Sequence, residues 1–306
     1  MRKTYKMTMP ATQLVAPTLT GLKSRFDEIR KALGEPAYDK HGVMLYQGDC
    51  VDLLEELPPG IVDLTVTSPP YNIGKEYEAR LGVEEYLDWC ERWISGVYRA
   101  TAPRGAFWLN LGYMPLPKRA RAIPIPYLLW DRVPFYLIQE IVWHYGAGVA
   151  ARRAYSPRNE KFLWYARDES DFYFDLDAVR DPNIKYPNQF KNGKRKINLA
   201  GKNPSDVWVF PKVTSGKNRS SRERTPHPAQ FPMAVIERIV RGGSPPDALV
   251  LDPFMGSGTT AEVALKLGRP VLGIELNPDY VEIAVNRLEN AAAIETDNPQ
   301  LHIGLE

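Results

Sequence analysis

Cysteine is nearly missing from this chain, with Cys50 and Cys90 alone among 306 residues. Neither has metal-type spacing, which argues against a zinc module and a disulfide framework and for a reducing, cytoplasmic setting. Histidine is almost as scarce: His41, His144, His227 and His302 are scattered, so no metal is expected. No apolar run approaches the roughly 20 residues that a membrane span needs. The basic start "MRKTYKMTMPATQLVAP" lacks the continuous apolar stretch of a secretory leader. Net charge is small as well, +2, and by itself says little about partners. What remains is ordinary for a globular protein, 44% hydrophobic and 25% charged, and long enough for one large α/β domain or for a core with an inserted module.

The distribution of charge says more than its sum. Residues 180–226 hold twelve Lys and Arg, among them Lys194, Arg195, Lys196, Arg219 and Arg222, against Asp181, Asp206 and Glu223. The stretch is poor in aliphatic residues and interleaves Tyr186, Asn188, Gln189 and Phe190. A solvated loop face would look this way, and so would a surface for phosphates and base edges.

Periodicity predicts a helix over 20–34, ending at Gly34, and a short strand in "GVMLYQGD" (42–49). One or two helical turns come next in "CVDLLEEL", and then a β-branched strand, "IVDLTVT" (61–67). An amphipathic helix is expected over 82–101, a buried strand at 105–112, and a strand pair in "YLIQEIVWHYG" and "KFLWYARDESDFYF". A helix near 231–241 succeeds the basic stretch. The last quarter reads as strand 248–254, a glycine-opened helix, strand 270–276 and a final helix, with a frayed tail from Thr296.

Two motifs carry chemistry. In "LDPFMGSGTTAEVA", Gly256 and Gly258 let the backbone approach a ligand at a strand-to-helix turn, and Glu275 ends the next strand, where a carboxylate can accept hydrogen bonds from ribose hydroxyls. No lysine comes after the glycines, so a nucleoside triphosphate is disfavoured; a nicotinamide dinucleotide and S-adenosylmethionine both remain. The second motif is "TSPPY" (67–71), where Pro69 and Pro70 stop a strand and stiffen the turn at its end. An oxidoreductase gives no reason for it. Methylation of a base amine does, because that amine is a poor nucleophile that needs acceptors for its hydrogens and an aromatic face for the ring. Ser68 and the Pro69 carbonyl supply the acceptors, and Tyr71 the face.

At these residues the chain resembles the S-adenosylmethionine-dependent DNA amino-methyltransferases, which act on cytosine N4 or adenine N6. The resemblance rests on "TSPPY" with "DPFMGSGTT" (252–260). It extends through "YQGDCVDLL" (46–54), "RNEKFLWYAR" (158–167), "HPAQFP" (227–232) and "GIELNPDYVEIAVNR" (273–287), about residues 42–290. The motif order is similar to the β-group of that family. It implies an α/β, Rossmann-like, doubly wound and mostly parallel sheet in permuted order, with strand 42–47 beside strand 270–276 and an inserted target-recognition region.

The implied organisation is an extension with a helix at 1–40, a catalytic half at 41–179, the basic recognition region at 180–226, a cofactor half at 227–292 and a tail at 293–306. The resemblance assigns Ser68, Pro69, Pro70 and Tyr71 to the catalytic corner and Phe254, Gly256 and Gly258 to the cofactor loop. Asp252 would face the methionine part of the cofactor, Glu275 the ribose and Asp49 the adenine amine, with His227 and Pro228 lining the methionine side. Lys194, Arg195, Lys196, Arg219 and Arg222 would hold DNA. An initial Ser is similar to the cytosine-N4 enzymes, whereas Asp is commoner for adenine N6. Neither cysteine has the Pro-Cys context of carbon methylation, so a thiolate mechanism is disfavoured. The implied partners are double-stranded DNA with a flipped base, a cognate restriction endonuclease and a second copy of the chain, in a prokaryotic, nucleoid-associated setting. A nicotinamide-dependent oxidoreductase and a non-catalytic DNA-binding protein are the rival readings.

Overall fold

The structure is a computed structural model that describes residues 19–75, 78, 80–146, 148, 150–184, 186–195, 197–213 and 221–296. Residues 1–18 of the expected N-terminal extension, the tail beyond Thr296, Lys196 and Arg219 lie outside the described residues. In chain order the elements are α1 (Leu19–Leu33), β1 (Tyr38–Lys40), β2 (Val43–Gln47), α2 (Cys50–Glu56), β3 (Val62–Thr67), α3 (Val83–Ala100), β4 (Thr101–Leu111), β5 (Tyr113–Leu116) and β6 (Ala120–Pro124). They continue with β7 (Tyr136–His144), β8 (Asn159–Ala166), β9 (Phe190–Lys191), β10 (Lys194–Arg195), β11 (Val207–Val209), α4 (Met233–Gly243), β12 (Val250–Asp252), α5 (Thr259–Lys266), β13 (Val271–Glu275) and α6 (Pro278–Thr296).

The main sheet has nine strands in the order β1-β2-β13-β12-β3-β4-β8-β7-β11. Strands β2, β13, β12, β3 and β4 are mutually parallel, and only β1 and β8 run against the rest. The early strand β2 pairs with the late strand β13 from Val43↔Val271 to Gln47↔Glu275, as the permuted order requires.

Strand side chains alternate between two apolar layers, the period-2 signature of a sheet covered on both faces. Met44, Tyr46, Phe107, Leu109, Leu163, Tyr165, Leu272 and Ile274 pack with α1, α2 and α3. Val43, Leu45, Leu64, Val66, Trp108, Phe162, Trp164 and Val271 pack with α4, α5 and α6. Helix α3 buries Tyr86, Leu87, Cys90, Trp93, Ile94 and Val97, the stripe that three- and four-residue spacing places on one side.

Several elements differ from expectation: β1, β5 and β6 are strands that periodicity does not announce, and three further differences fall between β8 and β11. The expected strand "KFLWYARDESDFYF" stops at Ala166, because the Asp168 carboxylate accepts the backbone N–H groups of Ser170 and Asp171 and closes a turn. Within the basic stretch, β11 joins the main sheet beside β7 instead of standing apart. The same stretch carries the hairpin β9–β10, whose Asn192 and Gly193 both have positive φ (51° and 70°), the conformation that a two-residue turn of the I′ type demands.

Candidate active site

Open α/β sheets offer ligands the crevice outside the carboxyl ends of their parallel strands. Here the chain leaves β2 at Gly48 and Asp49, β3 at Ser68, β4 at Gly112, β12 at Pro253 and Phe254, and β13 at Leu276, and all of these line one cleft of about 880 Å³. The reversed strand β8 brings its first residues, Asn159 and Glu160, to the same edge, and Lys212 arrives just after β11. That volume lies in the range of small-molecule sites.

Ser68, Pro69, Pro70 and Tyr71 form one wall of the cleft. The Tyr86 hydroxyl of α3 donates to the Pro70 carbonyl (2.7 Å), while among the described residues no donor is bonded to the Pro69 carbonyl. The Tyr71 hydroxyl donates to Asn110 Oδ1 (2.9 Å) and lies 3.1 Å from Ser68 Oγ, which is 3.3 Å from the same Asn110 oxygen. The Asn110 amide is itself oriented by donation from Nδ2 to the Lys161 carbonyl (3.0 Å). The Tyr71 ring lies so close to the backbone of Gly112 that a Cβ there would sit 2.8 Å from it. Beyond the corner, Asn72 adopts φ 57° and clamps Leu81 by its side chain, donating to the carbonyl (3.0 Å) and accepting from the N–H (2.7 Å). The ring and the Ser68 hydroxyl are therefore held from several sides before any ligand arrives, and the Pro69 carbonyl has no donor bonded to it among the described residues.

The opposite wall is built on the glycine turn. Glu275 accepts from the Gly256 N–H (2.8 Å) through one oxygen and from the Asn277 N–H (2.9 Å) through the other. Burial raises its carboxyl above the usual range, and these N–H donors oppose that rise. Gly256 has φ 50°, and a Cβ there would lie 3.0 Å from His227 Nε2, so glycine is required for both turn and clearance. The His227 ring packs edge-on against Tyr280 at 4.3 Å, and burial lowers its pKa, which leaves the imidazole neutral at pH 7. Phe254 meets Trp89 and Trp93 edge-to-face at 5.6 and 5.1 Å, making an apolar wall with Trp89 in the cleft. Asp49 reaches the cleft and also caps α2, its Oδ1 accepting from the Val51 N–H (2.8 Å).

Two expected cofactor residues lie elsewhere. Asp252 is 1% exposed and does not line the cleft; its Oδ1 accepts from Thr67 Oγ1 (2.6 Å) and from the Phe254 N–H (3.1 Å), so it braces the end of β12 against the end of β3. Burial pushes its pKa up to about 6. Gly258 caps α5 and packs against Ala284 of α6 instead of facing the cleft.

Of the expected DNA-binding residues, Lys194 and Arg195 form β10 and Arg222 is exposed. Lys212, counted there with the basic stretch, stands in the cleft, bonded through Nζ to Glu160 Oε1 (3.0 Å). Asn110, Glu160, Lys212, Trp89 and Tyr280 are cleft residues that motif reading passes over. Proximity to Ser-Pro-Pro-Tyr in the fold, not in the chain, is what marks them. Burial pushes the Cys90 thiol up to about 12 and raises that of Cys50 too, so neither is a thiolate at neutral pH. Among the described residues no three His, Cys, Asp or Glu side chains converge on a metal position, and no helix is long and apolar enough to cross a membrane.

The family model for DNA methylases of the N6/N4 type matches residues 62–286. This chain belongs to that family. The type II methyltransferase M.ScaI of Streptomyces caespitosus is 64% identical over 271 residues, spanning 89% of each chain. The DNA adenine methyltransferase YhdJ of Escherichia coli (strain K12) is 30% identical over 265 residues, 81% of this chain and 83% of its own. Among solved structures, the cytosine-N4-specific PvuII DNA methyltransferase superposes with a TM-score of 0.65 at 23% identity, over 85% of this chain and 93% of that one, a likeness of fold. The protein is thus a DNA amino-methyltransferase whose methyl donor is S-adenosylmethionine. The nicotinamide and non-catalytic readings fall with that assignment.

Proposed function

We propose that this DNA methylase transfers the methyl group to the exocyclic N4 amine of cytosine in double-stranded DNA, as the modification half of a type II restriction-modification system. The carrying observation is Ser68. The corner presents a neutral hydroxyl, the residue type whose resemblance is to the cytosine-N4 enzymes, within hydrogen-bond distance of Tyr71 and Asn110. The cleft fits the donor: Gly256 leaves the clearance that a Cβ would fill, and Glu275 brings a carboxylate to the same wall. Bound there, S-adenosylmethionine supplies an electrophilic methyl group. Glu275 accepts the ribose hydroxyls, Asp49 the adenine amine, and Phe254 with Trp89 covers the apolar part. A neutral His227 keeps positive charge away from the sulfonium.

Ser68 Oγ and the Pro69 carbonyl accept the two amine hydrogens and hold the nitrogen as it pyramidalises, and Tyr71 stacks on the flipped ring. Because the tyrosine is fixed by Asn110, Ser68 and Gly112, little ordering remains for the bound state. Residues 180–226 serve as the recognition region, with Lys194, Arg195, Lys196, Arg219 and Arg222 against phosphates, and a cognate endonuclease is the partner this role implies. Adenine N6 is the second reading, favoured by the kinship with YhdJ. Sequencing that reports modified bases, on DNA from cells expressing the chain, tests the assignment. N4-methylcytosine in one short motif supports it, and N6-methyladenine alone overturns it.

A further inference from the structure

The cleft contains an ion pair that the methyl-transfer corner and the cofactor wall do not use. Glu160 and Lys212 form an ion pair (Oε1 to Nζ, 3.0 Å) in which the two side chains are only 16% and 25% exposed. The other carboxylate oxygen of Glu160 lies 3.5 Å from the Tyr71 hydroxyl, so the pair sits beside the ring expected to stack on the base. The Lys212 ammonium stands 3.9 Å from the centroid of the Tyr145 ring, a second restraint on its direction. A half-buried ion pair contributes little net stability, because desolvation offsets the attraction. Two elements from the far edge of the sheet nevertheless deliver this one to the cleft.

Its chemistry matches what the flipped base still has to satisfy. With the amine hydrogens taken by Ser68 and the Pro69 carbonyl, cytosine presents two acceptors on the adjacent edge, N3 and O2. They need donors. Among the described residues, Lys75 and Lys212 are the lysines lining the cleft; Lys75 is exposed on the loop after the corner, whereas Lys212 is enclosed and aimed by Glu160 and Tyr145. An ammonium has three hydrogens, so Lys212 keeps its bond to Glu160 and still donates to a base. Thymine opposes it with an N3–H, and adenine offers a ring nitrogen but no carbonyl.

We propose that Lys212, oriented by Glu160 and Tyr145, donates to the N3–O2 edge of the flipped cytosine and is a specificity-determining residue of this enzyme. The inference rests on the cytosine-N4 reading. The test uses the full chain, S-adenosylmethionine and a duplex carrying the methylated motif found by sequencing. Two further duplexes replace the target with 4-aminopyridin-2-one, which lacks N3, and with 2-aminopyridine carbon-linked through C5, which keeps the amine and the ring nitrogen beside it but lacks O2. For the wild type, kcat/KM should fall about 10- to 100-fold on at least one analogue, the loss of a charged hydrogen bond. Lys212→Met should lose a similar factor on cytosine yet treat cytosine and that analogue alike, and Lys212→Arg should recover part of both rate and discrimination. Calorimetric affinity for S-adenosylmethionine should be unchanged in each variant. A wild-type enzyme that accepts both analogues as well as cytosine overturns the proposal without any variant. So does Lys212→Met that retains the wild-type discrimination. N6-methyladenine as the product overturns the cytosine reading itself, and is seen in the sequencing before any Lys212 variant is made.

Discussion

Replacing Glu275 with Gln alters the cofactor wall at the point where its geometry is best defined. The two carboxylate oxygens accept backbone N–H groups from Gly256 at 2.8 Å and Asn277 at 2.9 Å, and in the proposed role they also accept from the ribose hydroxyls. The amide keeps the shape but turns one acceptor into a donor facing an N–H, and it removes the charge. An orphaned buried N–H costs about 1–3 kcal/mol, and each lost charged hydrogen bond about 1.5–3 kcal/mol. A combined loss of about 2–4 kcal/mol on the ligand side raises the dissociation constant for S-adenosylmethionine by about 30- to 1,000-fold. Isothermal calorimetry measures this, with DNA affinity as the control that should stay constant. A ribose-deoxygenated donor analogue completes the test: it should bind the wild type weakly and lose little further in Glu275→Gln. Wild-type affinity in the variant would refute the ribose role of Glu275.

Three other perturbations have outcomes set by the structure. Gly112→Ala puts a methyl group 2.8 Å from the Tyr71 ring, an overpacking worth about 1–3 kcal/mol; it should slow methyl transfer at least tenfold in single-turnover assays while donor affinity holds. Replacing Lys194, Arg195 and Lys196 together with Ala should weaken DNA binding and reduce the slope of log K against log salt by roughly one per lost phosphate contact, read by fluorescence anisotropy. Asp252 is raised to about 6 by burial, so the folded chain holds a proton that the unfolded chain releases from about pH 4 upward. That group's contribution to stability is greatest below pH 4, falls by up to about 3 kcal/mol as pH rises to 6, and is flat beyond. Denaturant melts from pH 4 to 7 should show this slope in the wild type and its absence in Asp252→Asn.

Much of the fold is legible because local pattern and family motif agree. The β-branched run before Ser68, the glycine turn at 256–258 and the acid ending β13 are each short-range signals, and the permuted order is implied by the order of the motifs. The features that escape such reading depend on contacts far apart in the chain. Lys212 looks like one more cation of a basic stretch until β11 joins the sheet and carries it to Glu160, 52 residues away. Asp252 belongs to the motif yet turns inward, because its bond with Thr67 joins residues 185 apart and no pattern announces which way a strand-end carboxylate faces. Asn110 sits in an apolar strand, where its amide would be a packing defect were Tyr71 and Lys161 not there to satisfy it. The two-residue hairpin at Asn192 and Gly193 is legible from Asn-Gly alone, but the surrounding charge makes the segment look like an irregular loop.

The central claim, transfer to cytosine N4 at the Ser-Pro-Pro-Tyr corner, is tested most directly by one experiment in vitro. Purified enzyme is given S-adenosylmethionine with a deuterated methyl group and unmodified DNA, and the digested nucleosides are resolved by mass spectrometry for the wild type, Ser68→Ala and Tyr71→Ala. The account predicts deuterated N4-methylcytosine from the wild type, less from Ser68→Ala, and a strong loss in Tyr71→Ala, where a stacking surface worth about 1–3 kcal/mol is gone, all three binding the donor equally. Label on adenine N6, or undiminished N4-methylcytosine from Tyr71→Ala, would contradict it.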